Sequence, residues 1–209
     1  MSDHGKRQLT GSQIITAAIE LIDAEGLAKF SMRRLGAHLG VEGMAIYHHF
    51  SGKEALLDEV TGSISVQDTT IPPDHLSWRD QLRITYSQFR TNVLSHPNLA
   101  ERLLTRPAQN IESARIAEAQ YRALAQAGLT DSALVAAHRT IGSYVVGFIA
   151  IEVNAMTGAV AEPRWNLDQL SDQFPLLTKI GTYTEELSWD AQFETGLDVV
   201  FDAASRLSS

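Results

Sequence analysis

Apolar residues recur at intervals of three and four in segment after segment of this chain, and nearly every run is closed by a glycine or a proline. A period near 3.6 places such residues on one face of a helix, whereas a half-buried strand needs strict alternation. No alternating run is convincing, so the pattern predicts an all-α fold. Thr10-x-x-Gln13 has capping-box spacing, in which each side chain satisfies an otherwise unpaired backbone N–H. Ile14, Ala18 and Leu21 with Ile15, Ile19 and Ile22 then form an apolar face, and Gly26 ends it. Ser31 can cap a short helix to Leu39, with Leu35 and Leu39 as its buried pair and Gly40 as its stop. A third helix is expected from about Gly43 to Phe50, with Ile46 and Phe50 on one face. Ser51-x-x-Glu54 reads as a second capping box, opening a helix that carries Leu56, Leu57 and Val60. Four helices in the first 65 residues, joined by turns of a few residues, make one compact unit.

Asp68 to Asp74, with Pro72-Pro73, is the first clear punctuation. Ser77-x-x-Asp80 opens a helix with Leu82, Tyr86, Phe89 and Val93 in a 4-3-4 rhythm, stopped at His96-Pro97. A short helix to Thr105 is broken by Arg106-Pro107. The next, with Ala114, Ala117, Tyr121 and Leu124 inward, ends at Gly128. Thr130-Asp131 opens the longest candidate, to about Met156: ~26 residues, or roughly 39 Å. Gly142 and Gly147 inside it each cost ~1 kcal/mol against alanine, which predicts close packing of another helix there. Residues 158–172 read as a loop, followed by helices near Phe174–Thr184 and from Asp190 to Leu207, where Phe193, Leu197, Val200 and Ala204 repeat.

Charge sharpens the division. The chain holds 17 Lys+Arg and 25 Asp+Glu, a formal −8, which taken alone argues against nucleic acid. Between Leu27 and Lys53, however, Lys29, Arg33, Arg34 and Lys53 stand against Glu42, a local 4 − 1 = +3, while from Thr61 onward the count is 11 − 17 = −6. Counterion release rewards nearby cations rather than global charge, so a basic island on an acidic chain is compatible with phosphate contact. Zero cysteines exclude disulfides, Fe–S clusters and thiolate zinc sites and fit a reducing cytoplasm. No charge-free stretch exceeds 12 residues (Gln8–Ile19 and Thr140–Ile151), short of the ~20 that span a bilayer. No membrane association is expected.

Catalytic signatures are missing: no G-x-G-x-x-G, P-loop, G-x-S-x-G or H-E-x-x-H occurs. His48 and His49 point about 100° apart on a helix and do not chelate one metal, so no metal, cofactor or catalytic residue is assigned. Residues Arg33 to Gly52 instead outline helix, tight turn and second short helix, the helix-turn-helix arrangement in which the second helix enters the major groove. Ile46 and Phe50 would dock that helix, leaving Gly43, Met44, Ala45, Tyr47 and His48 outward. Such a surface is wasteful unless it meets something. Lys53 sits where free N–H groups at a helix start favour phosphate.

Leu27-x-x-Phe30-Ser31-Met32-Arg33-Arg34-Leu35-Gly36-x-x-Leu39-Gly40-Val41, then Ile46-Tyr47-x-His49-Phe50-x-x-Lys53-Glu54-x-Leu56-Leu57, closely resembles the DNA-binding domain of the tetracycline-repressor (TetR) family over residues 9–64. More loosely, Trp78, Leu94-Ser-His-Pro97, Thr105-Arg-Pro107 and Gln120 before Gly128 resemble the ligand-binding domain of the tetracycline repressors. The resemblance implies two domains, a three-helix DNA-binding domain at 9–64 and a larger helical ligand-binding and dimerisation domain at 65–209. It implies a cytoplasmic homodimer, joined through the helices near 131–156 and 190–207, that binds a palindromic double-stranded DNA operator and is released by an unknown small-molecule effector. Arg33 and His48 resemble base- or phosphate-contacting residues; Tyr47, His49 and Lys53 match phosphate-contacting positions; Gly43, Met44 and Ala45 match those nearest the bases. The family often has hydroxyl or amide side chains at those last three positions, and here none donates a side-chain hydrogen bond.

Thr85, Phe89, Thr105 and Gln120 resemble effector-pocket positions, and Arg106, His138 and Glu152 are further polar candidates. The family's histidine just before Thr-Arg-Pro has no counterpart in Asn98–Leu104, so a magnesium–tetracycline site does not carry over. The expectation is a ligand-responsive transcriptional repressor. The alternative is a small-molecule-binding or hydrolytic helical protein that no longer binds DNA.

Overall fold

The computed structural model describes residues 9–106, 110–159, 172–184 and 187–208. Helices α1 (Gly11–Glu25), α2 (Met32–Leu39), α3 (Gly43–Tyr47), α4 (Lys53–Val66), α5 (Trp78–Ser95), α6 (Ala100–Thr105), α7 (Ile111–Gln126), α8 (Asp131–Thr157), α9 (Pro175–Thr184) and α10 (Trp189–Ser205) follow in order. No strand occurs among the described residues. The chain divides into two compact units that interleave in sequence: Met1–Ile71 with Ser87–Ala119, and Pro72–Tyr86 with Gln120–Ser209. The division falls within α5 and α7.

In the first unit the Thr10 capping box forms in full: the Thr10 hydroxyl accepts from Gln13 N at 3.2 Å and the Gln13 amide oxygen from Thr10 N at 3.0 Å. Ile14, Ala17, Ala18, Leu21 and Ile22 are buried, while Ile15 and Ile19 are only half-buried. The 15-residue helix has one inward stripe, narrower than the predicted face. Ser31 caps α2 through Arg34 N, and Gly40 ends it in the left-handed region at φ 67°. The buried partners on α2 are Met32, Leu35 and Gly36, with Leu39 half-buried, which corrects the expected Leu35–Leu39 pair.

Two expectations about the next segment fail. Helix α3 stops at Tyr47, three residues early, so Phe50 lies in the following turn rather than on the helix. The Ser51 capping box does not form either. Gly52 is the cap residue of α4, which moves Ala55 into the third position, and the Glu54 carboxylate turns to Arg102 instead. Arg102 is buried at 8% exposure and reaches from α6 to α4, donating to Glu54 at 3.0 Å and Asp58 at 2.6 Å.

In the second unit α8 packs along α10. Ala137, Ile141, Val145, Ile149 and Val153 face inward, opposite Phe193, Leu197, Phe201 and Ala204. Val200, expected in that row, is half-buried and Phe201 takes its place. Among the described residues nothing lies within 4 Å of a Cβ at Gly142 or Gly147, so they are not where α8 meets α10. The close approach is at Gly196 on α10, where the Tyr144 phenol crosses and donates to Phe193 O at 2.9 Å. The row expected on α7 is also shifted: Ala114 is exposed, and Ala119, Ala123 and Leu124 are buried. The charge-free stretches understate α8, whose 27 residues include an 18-residue window of mean hydropathy 1.5, long and apolar enough to cross a membrane by length and composition. Most of the loop expected at 158–172 lies outside the described residues.

Candidate nucleic-acid interface

Glycine at position 36 lets α2 and the start of α3 lie close together. A Cβ there would stand 3.0 Å from the Val41 carbonyl oxygen and 3.2 Å from Gly43 N, so any side chain at 36 would require the turn and the start of α3 to give by a few tenths of an ångström. Val41 N closes the turn on Gly36 O at 2.9 Å, and the positive φ of Gly40 reverses the chain. Helix α3 is then pinned by Ile46, which is fully buried, while Phe50 is half-buried beside Gly11.

With Ile46 inward, α3 presents a mixed surface. Met44 is 66% exposed and Tyr47 47% exposed. His48 and His49 are exposed, and Gly43 and Ala45 half-buried. The sequence therefore placed Met44, Tyr47 and His48 correctly on the outer face, but counted Gly43 and Ala45 as more open than they are. Arg33 on α2 is exposed and makes no hydrogen bond or ion pair among the described residues. Its neighbour Arg34 is paired with Glu25. Lys53 is half-buried: its ammonium donates to Phe30 O at 2.9 Å and lies 5.6 Å from the Phe30 ring centroid. That contact braces α4 against the turn before α2 and uses one of three N–H donors.

The effector candidates divide between the units. Phe89, Thr105 and Arg106 belong to the first, Thr85, Gln120, His138 and Glu152 to the second. Phe89 is half-buried. Thr105 is exposed and donates to Glu101 O at 2.7 Å, and Arg106 lies 3.6 Å from Glu54 and 3.8 Å from Asp58. The buried Thr85 hydroxyl is spent on its own helix, donating to Leu82 O at 3.0 Å. Gln120 and His138 are brought into contact: His138 Nε2 lies 3.0 Å from Gln120 Oε1, which only accepts, so the imidazole donates. Burial lowers the His138 pKa from its ordinary value, which keeps the ring neutral at pH 7. Glu152 is buried on the same helix, but 14 residues on, ~21 Å at 1.5 Å per residue, so it cannot serve the same small group.

Two residues escaped the sequence reading. Arg102 could have been noticed because it falls between Leu99 and Leu103 in an apolar row. Tyr86 was counted as one more apolar residue of α5. Its ring is buried at 6% exposure, and its hydroxyl has no hydrogen-bond partner among the described residues, at a cost of about 1–3 kcal/mol. No sequence signal marks such a group. Among the described residues no cluster of three or more metal-ligating side chains occurs.

Comparison with known proteins agrees with this geometry. Residues 14–60 match the family model described as bacterial regulatory proteins, tetR family. Residues 71–203 match the tetracyclin repressor-like C-terminal domain. The chain is 31% identical over 203 residues to the class A tetracycline repressor protein of transposon 1721 from Escherichia coli, covering 95% of this chain and 92% of that protein. It is 31% identical over 147 residues to an HTH-type transcriptional regulator of Saccharopolyspora erythraea, covering 70% of this chain but only 62% of that protein's length. Among solved structures, BioQ with its double-stranded DNA operator superposes with a TM-score of 0.69 at 28% identity, covering 95% of this chain and 99% of that one. A variant of TetR from Acinetobacter baumannii in complex with minocycline gives 0.71 at 28% identity, covering 96% and 99%.

Proposed function

The chain belongs to the tetR family of bacterial regulatory proteins, a family of transcriptional regulators rather than enzymes, and on that premise we propose how its residues divide the work of a ligand-responsive repressor. The observation that carries the reading is the outer surface of α3: Met44, Tyr47 and His48 stand exposed around a fully buried Ile46, and Arg33 on the preceding α2 is exposed with no partner among the described residues. A helix held by one inward residue and presenting its remaining side chains to solvent has the geometry of a reading helix.

Gly43, Met44 and Ala45 meet base edges. Since none of them donates a side-chain hydrogen bond, they read thymine methyl groups and groove shape, and Arg33 supplies the main polar base contact. Tyr47, His48, His49 and the remaining donors of Lys53 hold phosphates and set the register. Residues 9–64 form the reading domain and 65–209 the effector and dimer domain.

The active species is a homodimer on a palindromic operator, because two-fold symmetry repeats α3 once per half-site. Its interface lies on α8 and α10. Val135, Val146, Ile151, Met156 and Val199 are exposed on those helices, and Gly142 and Gly147 leave room for a second copy to approach. Burying these side chains accounts for an α8 too apolar for one neighbour. The protein works in the cytoplasm, where its DNA is. A small molecule bound in the second domain shifts the dimer towards a state whose reading helices no longer match the half-site spacing. Gel retardation with DNA flanking the protein's own gene, repeated at several salt concentrations, tests the reading. Specific retardation that weakens steeply with salt is expected; retardation no stronger than that of unrelated DNA would sink it.

A further inference from the structure

The charge of the reading domain changes once α4 is counted with it. Leu27 to Val60 holds Lys29, Arg33, Arg34 and Lys53 against Glu42, Glu54, Asp58 and Glu59, which is 4 − 4 = 0. The basic island of +3 is cancelled by the three carboxylates that α4 brings. Glu54 stands in the first turn of α4, where no side chain caps the free N–H groups. Its carboxylate therefore competes with a phosphate for the same positive helix end. Two cations from outside residues 9–64 answer it within the same unit. Arg102 and Arg106, four residues apart, face Glu54 and Asp58, also four apart, so two helix faces of opposite charge meet. The buried Arg102 guanidinium donates to both carboxylates, at 3.0 and 2.6 Å, and the exposed Arg106 lies 3.6 and 3.8 Å from them. Glu54 and Asp58 keep 64% and 60% of their side-chain surface exposed, so without these cations their charge would act on any phosphate nearby. Adding Arg102 and Arg106 brings the count to 6 − 4 = +2.

We propose that Arg102 and Arg106 set the affinity for DNA by cancelling the two carboxylates at the head of α4, which leaves Lys53 and the free N–H groups there to hold a phosphate. The inference rests on the DNA-binding reading above and adds to it two residues outside the helix-turn-helix, which act through Glu54 and Asp58. A purely mechanical brace between α4 and α6 makes a different prediction: breaking it from either side weakens binding. Charge cancellation predicts opposite signs for the two sides.

The test uses the full chain and a mixed-sequence duplex of about 30 base pairs, because the phosphate contribution does not depend on sequence. Binding is read by fluorescence anisotropy over a range of salt concentrations. Arg102→Met and Arg106→Gln each remove one cation, and each should weaken binding at low salt roughly 2- to 3-fold per protomer, or about 5-fold for a dimer with both reading heads engaged. Glu54→Gln/Asp58→Asn should bind more tightly than wild type, by a larger factor and with a steeper salt dependence, while its amide oxygens still accept from Arg102. Circular dichroism checks that each variant is folded. Arg106 is 56% exposed, so Arg106→Gln decides the matter if Arg102→Met unfolds. Unchanged or weaker binding by Glu54→Gln/Asp58→Asn, unchanged affinity in a folded arginine variant, an effect undiminished at high salt, or no binding of the duplex by wild type would each overturn the assignment. Specific retardation of DNA flanking the protein's own gene is scored separately. Its absence refutes the regulator reading and leaves the charge comparison on the mixed duplex standing.

Discussion

Gly196→Ala is the substitution for which the fold and the usual helix rule predict opposite signs. Alanine is favoured over glycine inside a helix by ~1 kcal/mol, so on propensity alone the change stabilises α10. In the structure a Cβ at this position lies 2.5 Å from Tyr144 Cε2 and overlaps the phenol hydroxyl. Either the two helices part or the Tyr144 ring leaves its place. The ring's hydroxyl donates to Phe193 O at 2.9 Å and is 3.3 Å from Gln192 O, and the ring stacks on Phe193 at 6.1 Å. Losing the hydroxyl bond costs about 1 kcal/mol, and relieving the overlap costs about 1–3 kcal/mol. Set against the propensity gain, the net is ~1–3 kcal/mol of destabilisation, or roughly 3–10 °C in thermal midpoint for a chain of this size. The assay is thermal unfolding by circular dichroism at fixed protein concentration, since a dimer's midpoint depends on concentration. The double variant Gly196→Ala/Tyr144→Ala isolates the cause: with the ring removed, alanine at 196 should be neutral or stabilising. A midpoint raised by Gly196→Ala alone, or an equal loss whether or not Tyr144 is present, would refute the reasoning.

Met44→Ala should lower the preference for thymine at the contacted position about 3- to 10-fold in selection from a randomised half-site library, with overall affinity less affected; an unchanged base preference would remove Met44 from the readout. His138 makes stability depend on pH. Burial lowers its pKa in the folded state below the ordinary 6.5, so as pH falls the unfolded chain takes up the proton first, and stability declines between 6.5 and the lowered value. Urea midpoints measured from pH 7 to pH 5 should fall less in His138→Gln than in wild type, and identical slopes would count against the assignment. Gly142→Ala and Gly147→Ala meet open space among the described residues, so each should stabilise an isolated protomer by up to ~1 kcal/mol. If α8 forms the dimer interface, the same variants should instead weaken association in sedimentation equilibrium.

The order of the helices among the described residues, the punctuation at Gly26, Gly40 and His96-Pro97, and the Thr10 cap were all legible, because each depends on residues within a turn or two of one another. The exposed trio Met44, Tyr47 and His48 was legible for the same reason: once Ile46 is inward, helical geometry sets where its neighbours point. Errors collected where a distant segment competes for a side chain. Glu54 has the spacing of a capping residue, yet the buried guanidinium of Arg102, 48 positions away, takes its carboxylate. Gly142 and Gly147 look like the glycines of a helix crossing, yet the crossing lies at Gly196, because Tyr144 projects from α8 onto α10.

The candidate sites divide in the same way. Local periodicity by itself determined an all-α chain with a short reading helix and a basic island of +3 on a chain of −8. Whether those cations are available was a tertiary matter: Arg33 has no partner among the described residues, Arg34 is taken by Glu25, and Lys53 has turned to the Phe30 carbonyl. The sequence likewise offered seven effector candidates without saying which could act together. Packing of α7 against α8 joined Gln120 to His138, while on α5 the Thr85 hydroxyl turns back onto its own helix and the Tyr86 hydroxyl is buried with no partner among the described residues. A helix period records only which face a residue occupies. Whether its polar atom finds a partner depends on what arrives from elsewhere in the chain, and that is settled only when the helices meet.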